Sequence, residues 1–373
     1  MATKLPKQNE AFIKEAYTLF DDFYAAAAPF RAQCEENEQF YKTNHWHNAS
    51  KREENEPQPV TPVLFSTVEN MLADIMDNYP EPVILPEENG DDGLATDLND
   101  AVKYILKRRD YRQTYRKKAR QALIKGTSVQ EVYWDSTLYG GLGDVNIRNW
   151  DIKHFLFDPK CEDIQDGRAC FKFGFYTKEW LKQRYPQAMD KIKPDTYARG
   201  GTNGQDDVMV MDYWYKTGEE GNLRVHMAKL CGHVLLEESE SERPQGMYNH
   251  GQYPFLVEPL FPAEDSPVGL GLVDILKNLQ QYADTMDQII MKNALASGKV
   301  KMLINRNAEL EEDALTDWNR DVVRGSRIDE GSVLWFQAAS LNPYVMAHYN
   351  NKVEAIKEES GQSLFNRGES GRG

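Results

Sequence analysis

Residues 269–298, GLGLVDILKNLQQYADTMDQIIMKNALASG, carry the most regular pattern in the chain. Leu272, Leu276, Leu279, Ala283, Met286 and Ile290 step by four and three, which puts them on one apolar stripe of an α-helix. The opposite face holds Asp274, Asn278, Gln281, Thr285, Gln288 and Lys292, and Gly298 ends the helix. A second helix is predicted from about Met346 to Asn366, with Tyr349, Val353, Ile356 and Leu364 on one face. Between the two, KVKMLINR, LEEDALTDWNRDVV and GSVLWFQ read as strand, helix and strand. An antiparallel helix pair would place this α/β insert at its far tip. A helix of roughly 28 residues is ~40 Å long, so the pair would be a rod projecting from a body.

The rest of the chain supplies that body. Residues 9–42 read as helix, with Phe12, Ala16, Leu19 and Phe23 at helical spacing and a break at Pro29. Residues 63–78 form another amphipathic helix, and YPEPVILPEENGDDG follows as an extended, proline-punctuated arm. A single helix is expected over about 94–125, ended by Gly126. It carries Lys103, Lys107, Arg108, Arg109, Arg112, Arg116, Lys117, Lys118 and Arg120, the one basic block in the chain. That block reads as a solvated face or as a contact surface for an acidic partner or a neighbouring subunit. Beyond Gly126 the pattern turns to strands. YGGLGD makes a hairpin turn, and HFLFDP, ACFKFGFYT, VMVMDYWYKT, LRVHMAKL and HVLLEE continue the β pattern. Thr177 is placed to cap a short helix, and YNHGQYPFLVEPLFPAEDSPVG is expected to be irregular.

Charge limits the function. The formal net charge is −15, and an acidic chain repels nucleic acid at long range, since tight phosphate binding needs clustered Lys and Arg. A DNA-binding regulator is therefore disfavoured, whereas a protein that must let DNA pass without gripping it would want this sign. Four scattered cysteines without CxxC spacing argue against a zinc finger or a disulfide scaffold. No run approaches the length of a membrane span, and the first residues lack the apolar stretch of a secretory signal.

Several stretches tempt a catalytic reading. GLGLVD opens a helix with two glycines but lacks the third of a dinucleotide fingerprint and follows a proline-rich loop. No GxxxxGK[ST], GxSxG or HExxH occurs. In NHWHN, His45 and His47 flank Trp46, yet no further ligands stand at metal-site spacing. The stretch reads as a surface loop or as a buried Trp46 anchor with polar flanks. Acidic pairs such as Glu311 and Glu312 sit in charged runs and read as solvated faces. No enzyme, metal or cofactor is expected.

The order of elements resembles the portal proteins of tailed bacteriophages. FYKTNHWHN, then PVTPVLFSTVENMLADIMDNYPEPVILP, then ARQALIKGTSVQEVYWD with NIRNWDIKHFLFDPKCEDIQDGRACF, then YPFLVEPLFPAEDSPVGLGLVDILKNLQQYADTMDQIIMKNAL stand in the family's order. Each is degenerate alone, and the ordered set is specific. The resemblance implies an α+β portal fold: a wing, helical over 1–130 and β-rich over 131–265; a first stem helix, 266–298; a clip, 299–344; a second stem helix, 345–367; and the start of a tunnel loop at 368–373. The family continues beyond that point, so the chain is expected to be truncated, with the C-terminal part missing. In this setting Trp46 is the packing anchor of a wing corner.

The resemblance further implies a homo-oligomeric ring, typically of twelve, at one capsid vertex of the virion, assembled in the host cytoplasm. Its partners would be the terminase large subunit, scaffolding and major capsid proteins, head-completion and tail proteins, and double-stranded DNA passing through without sequence-specific binding; no membrane is implied. Asp274, Asn278, Gln281, Thr285 and Gln288 are expected to line the channel. Glu311, Glu312, Asp313 and Asp317 are expected at a clip interface with a subunit or motor, and Trp318 fits core or contact equally. The alternatives are another head–tail adaptor, a class that lacks the helix–insert–helix arrangement, or an enzyme with dispersed site residues.

Overall fold

The computed structural model describes residues 5–50, 56–88, 90–192, 207–219, 221–298, 301–304, 309–310, 324–327, 333–336 and 341–361. They fall into two units, one drawn from Met1–Lys42 and Leu64–Lys277, the other from Thr43–Val63 and Asn278–Gln362.

The first unit opens with α1 (Glu10–Ala26), whose N-cap Asn9 accepts a hydrogen bond from the Phe12 amide. The chain breaks at Ala27, and α2 (Ala28–Tyr41) carries Pro29 in its first turn, where a missing N–H leaves no bond unmade. Then come α3 (Val63–Asp77), α4 (Asp92–Arg108) and α5 (Tyr111–Lys125). The single helix expected over 94–125 is therefore two. Asp110 adopts φ 48°, a left-handed conformation that Asp tolerates better than most side chains, and the helix stops there without proline or glycine.

Two antiparallel sheets follow. The smaller has the order β2–β1–β8, from β1 (Thr127–Asp135), β2 (Asp144–Trp150) and β8 (Phe255–Pro259). The β1–β2 hairpin closes around the glycine turn, pairing Val129 with Trp150 and Asp135 with Asp144. The strand β8 lies in the segment that the prolines suggested was irregular, and it pairs Val257 with Val129. The larger sheet is a meander of β3 (Phe155–Phe157), β4 (Ala169–Thr177), β5 (Asp207–Thr217), β6 (Arg224–Cys231) and β7 (Val234–Glu238). Thr177 caps α6 (Lys178–Arg184) by accepting from the Trp180 amide.

Helix α1 lays Ile13, Ala16, Tyr17, Phe20 and Phe23 on the larger sheet, where Phe20 meets Phe171 and Phe173 edge-on. A second cluster, with Val129, Ile152, Phe155, Trp214 and Phe255, joins the two sheets. All four cysteines are buried and free, and burial pushes the Cys34 thiol up to about 12.

A row of alternating charge runs through this interior. Register places Lys172 opposite Asp212 and Asp212 opposite Lys229, on three adjacent strands. Asp212 bonds both lysines, and Lys172 reaches across to Glu131 of β1 at 2.7 Å. Glu131 also accepts from Arg148 Nε at 2.7 Å and Trp150 Nε1 at 2.5 Å. Each buried charge thus has a counter-charge, the condition under which ions are tolerated away from water.

At one point three backbones cross. Gly126 caps α5 at φ 80° beside Gly269 of β10 (Gly269–Leu270), which pairs with β9 (Phe261–Pro262). A Cβ on Gly126 would lie 2.2 Å from the Gly269 carbonyl oxygen, and one on Gly269 would lie 2.1 Å from that of Phe261. The glycines of GLGLVD serve this close approach.

Helix α7 (Leu272–Gly298) belongs to the first unit up to Lys277 and to the second from Asn278. The second unit adds residues 43–63 and α8 (Pro343–Glu359), which Asn342 caps by accepting from the Tyr344 amide. Between the helices lie two short antiparallel pairs: β11 (Lys301–Ile304) with β14 (Val333–Phe336), and β12 (Glu309–Leu310) with β13 (Gly325–Ser326).

Candidate functional site

The helix that the sequence singled out, α7, is held in each unit by polar side chains. In the first unit Asp274 accepts from Gln33 Nε2 at 2.6 Å, from Asn37 Nδ2 at 2.7 Å and from the Gly271 amide at 2.9 Å. Asn37 is fully buried and also donates to the Ile124 carbonyl, so one amide ties α2 to the end of α5 and to α7. Lys277 pairs with Glu36 at 2.6 Å.

In the second unit a polar residue at every fourth position of α7 bonds to the chain before α3, three of them to its proline-rich segment and one to His45. Gln280 donates to the Thr61 carbonyl at 2.7 Å and to Asp284 at 2.9 Å. Asp284 meets His45 Nδ1 at 2.5 Å, with side-chain exposures of 2% and 3%. Gln288 donates to the Pro57 carbonyl at 2.9 Å, and Lys292 pairs with Glu56. Trp46 Nε1 donates to the Pro59 carbonyl at 3.0 Å. The logic is that of backbone satisfaction. Prolines at 57, 59 and 62 lack the N–H groups of a ladder. The carbonyls of residues 57, 59 and 61 are met instead by two glutamines and an indole. Thr61 Oγ1 also lies 3.0 Å from Tyr349 Oη on α8.

The two histidines of NHWHN therefore part company. His45 turns to Asp284, while His47 bonds the Asn44 carbonyl and Asn48 beside it. Among the described residues no group of three or more His, Cys, Asp or Glu is placed to hold a metal, and no helix is long and apolar enough to cross a membrane. Trp46 is half-buried, with its indole N–H engaged as above.

The five polar positions read along α7 divide. Asn278 and Gln281 are exposed, and Thr285 is half-buried with its hydroxyl on the Gln281 carbonyl. Asp274 is half-buried and Gln288 buried, each bonded as described. Ile275, Tyr282 and Ile289 are exposed at seven-residue spacing. Glu311, Glu312, Asp313, Asp317 and Trp318 lie outside the described residues, as do 362–373. Gln280 and Asp284 were missed from sequence. Their signal was the i, i+4 row 280, 284, 288, 292, legible only once the prolines' need for donors is set beside it.

Asp284→Ala should free this clasp. It removes a buried partner of both His45 and Gln280, a loss of about 2–3 kcal/mol. Amides within 43–62 should then exchange faster while those of the five-stranded sheet keep their protection. Unchanged exchange over 43–62 would show that the clasp does not hold the segment.

The sequence model of a family described as phage P22-like portal protein matches residues 17–255, from α1 to the start of β8. No curated protein matches the chain.

Proposed function

This chain belongs to the phage P22-like portal protein family, a structural family without enzymatic activity, and on that premise we propose that its copies close into a ring, typically of twelve, at one capsid vertex of the virion. DNA would enter and leave through the ring. The terminase large subunit would dock on one side during packaging, and head-completion or tail proteins would follow; scaffolding and major capsid proteins would seat the ring in the shell.

The family match over 17–255 carries this reading. Support for the channel comes from chemistry. A passage for DNA works best without basic contacts, each of which adds a salt-dependent grip. The outward positions of α7 between Asn278 and Thr285 are neutral and polar at Asn278, Gln281 and Thr285. We assign these three to the channel wall, with Asp274 and Gln288 holding the helix from within the subunit. Glu311, Glu312, Asp313 and Asp317 of the insert remain our assignment for the motor-facing interface.

Electron microscopy of the purified chain tests both levels. The expected result is a ring with a central hole, whose reconstruction brings Asn278 and Gln281 towards the axis. Single subunits at every concentration would defeat the ring. A ring with these residues turned from the axis would defeat the channel assignment alone.

A further inference from the structure

The larger sheet has two faces. Helix α1 covers the one that carries Phe171 and Phe173 of β4. Lys172, Gly174 and Tyr176 alternate with them and belong to the other face, where register sets Lys172, Asp212 and Lys229 in a row. On that face lies a cavity of about 180 Å³, lined at its base by Lys172, Gly174, Asp212 and Lys229, with β2 and α6 contributing the sides. From β2 comes Trp150, whose ring has the Arg148 guanidinium at 4.7 Å and the Lys172 ammonium at 4.8 Å. From α6 comes Trp180, stacked on Tyr176 at 4.3 Å, with the Arg184 guanidinium 5.8 Å from its ring. A Cβ on Gly174 would come within 3.2 Å of the Tyr176 ring. Glycine inside a strand marks a place kept open for a close approach.

The acceptors around this cavity are used up. Glu131 gives one oxygen to Lys172 and the other to Arg148 and Trp150. Asp212 gives one to Lys229 and the other to Lys172. Glu237, opposite Lys229 in the register, accepts from Tyr185. The donors are not used up. Among the described residues Arg148 spends only its Nε–H on Glu131, and Lys229 a single ion pair on Asp212, so most of each cationic head is left over. Arg184 is exposed and has no ion pair among the described residues. Four cations, Arg148, Lys172, Arg184 and Lys229, thus stand against three carboxylates, and what the cavity lacks is an acceptor.

We infer that this cavity binds an oxyanion of the phosphate class, held by Lys229 at the base and by Arg148 and Arg184 from the sides. A tetrahedral ion offers oxygens in every direction and so meets donors that arrive from several sides. Guanidinium groups match such oxygens in pairs, and these charge-assisted bonds are the strong ones. The volume lies below the ~300 Å³ at which sites for drug-sized ligands begin, so the cavity takes the oxyanion itself and not a whole nucleotide. Two sources carry this chemistry: the free ion, and a monoester whose substituent leaves past the exposed Arg184. The inference does not depend on the proposed ring.

Isothermal titration of the full chain with sodium phosphate and, separately, with phenyl phosphate tests it, at an ionic strength held constant with sodium chloride. One ion should bind per chain, with half-saturation at about 1 mM or below. Tighter binding of phenyl phosphate would identify an ester as the occupant, and tighter binding of phosphate the free ion. Arg184→Gln, at an exposed position, should weaken binding about tenfold, the loss of one charge-assisted bond. Gly174→Val keeps every charge and fills the base of the cavity, and binding should vanish. Thermal melts without phosphate check that each variant folds, and phosphate should raise the melting temperature of the unaltered chain alone. The inference is overturned if neither probe gives heat beyond the chloride blank, or if Arg184→Gln binds as the unaltered chain does. Unchanged affinity in a folded Gly174→Val variant would overturn it as well, since the ion would then sit elsewhere.

Discussion

Replacing Gly126 with alanine should cost the first unit about 4 kcal/mol or more, the sum of an overpacked contact and a strained backbone. The residue sits at φ 80°, where any Cβ is disfavoured. The larger contribution is the crossing itself. The new methyl would lie 2.2 Å from the Gly269 carbonyl oxygen and 2.8 Å from the Gly271 nitrogen. These are backbone atoms that cannot swing aside as a side-chain tip would. Moving them disturbs the hydrogen bond from the Gly269 amide to Thr127 Oγ1 and that from the Leu260 amide to the Gly126 carbonyl. It also shifts the start of α7, whose first buried residues, Leu272 and Val273, follow directly. Urea unfolding followed by tryptophan fluorescence is the measurement. A loss under about 1 kcal/mol would mean that the three backbones are not packed as described.

Glu131→Gln should cost about 3 kcal/mol, because breaking one member of a buried ionic network leaves its partners short of counter-charge. The Glu131 side chain is 3% exposed and that of Lys172 6% exposed. Without the carboxylate, Lys172 keeps only Asp212, at 3.3 Å. The pH dependence has a defined sign. Burial alone would raise the Glu131 and Asp212 carboxyls. Lys172 and Arg148 around the first, and Lys229 and Lys172 around the second, more than reverse this and hold both below the ordinary carboxylate range. The unfolded chain therefore binds these protons more readily, and stability rises with pH across the interval between folded and ordinary values. The contribution is complete above the ordinary values of 4.5 and 3.8 and is lost as pH falls through the depressed ones. Unfolding free energy should fall on acidification below about pH 4.5 more steeply in the unaltered protein than in Glu131→Gln. Parallel acid limbs would remove Glu131 from the account.

What the sequence made legible was local. Pro29 marked the break between α1 and α2, Thr177 the cap of α6, and the glycine turn the β1–β2 hairpin, because each acts through its own backbone or its near neighbours. The strands of the meander were legible from alternation. What escaped depended on distant partners. Nothing near Asp110 announces that one helix becomes two. The strand β8 hid among prolines because its partner β1 lies more than a hundred residues earlier. Lys172, Asp212 and Lys229 lie on three strands whose pairing no local pattern announces, and only register sets them side by side. In the candidate site, α7 was read as a helix with one apolar and one polar face. Yet Gln280 and Asp284 are buried polar residues whose partners, the Thr61 carbonyl and the His45 ring, lie more than two hundred residues away. The resemblance to portal proteins named the family correctly, since an ordered set of weak motifs is read without knowing who touches whom.

The placement of α1 has a consequence for how the chain is made. Gln8 holds both the amide and the carbonyl of Leu235 on β7, and the apolar face of α1 is covered by strands that lie far later in the chain. A ribosome adds about 5–20 residues per second, so α1 waits roughly 11 to 45 s before that sheet has been synthesised. Phe20 and Phe23 lack their ring partners Phe171 and Phe173 until β4 has been made, and the rest of the covering sheet until β7 has. The nascent chain is therefore open to capture by chaperones, or by other nascent copies, at its first helix, and the N-terminal segment is among the last parts of the first unit to reach its native place.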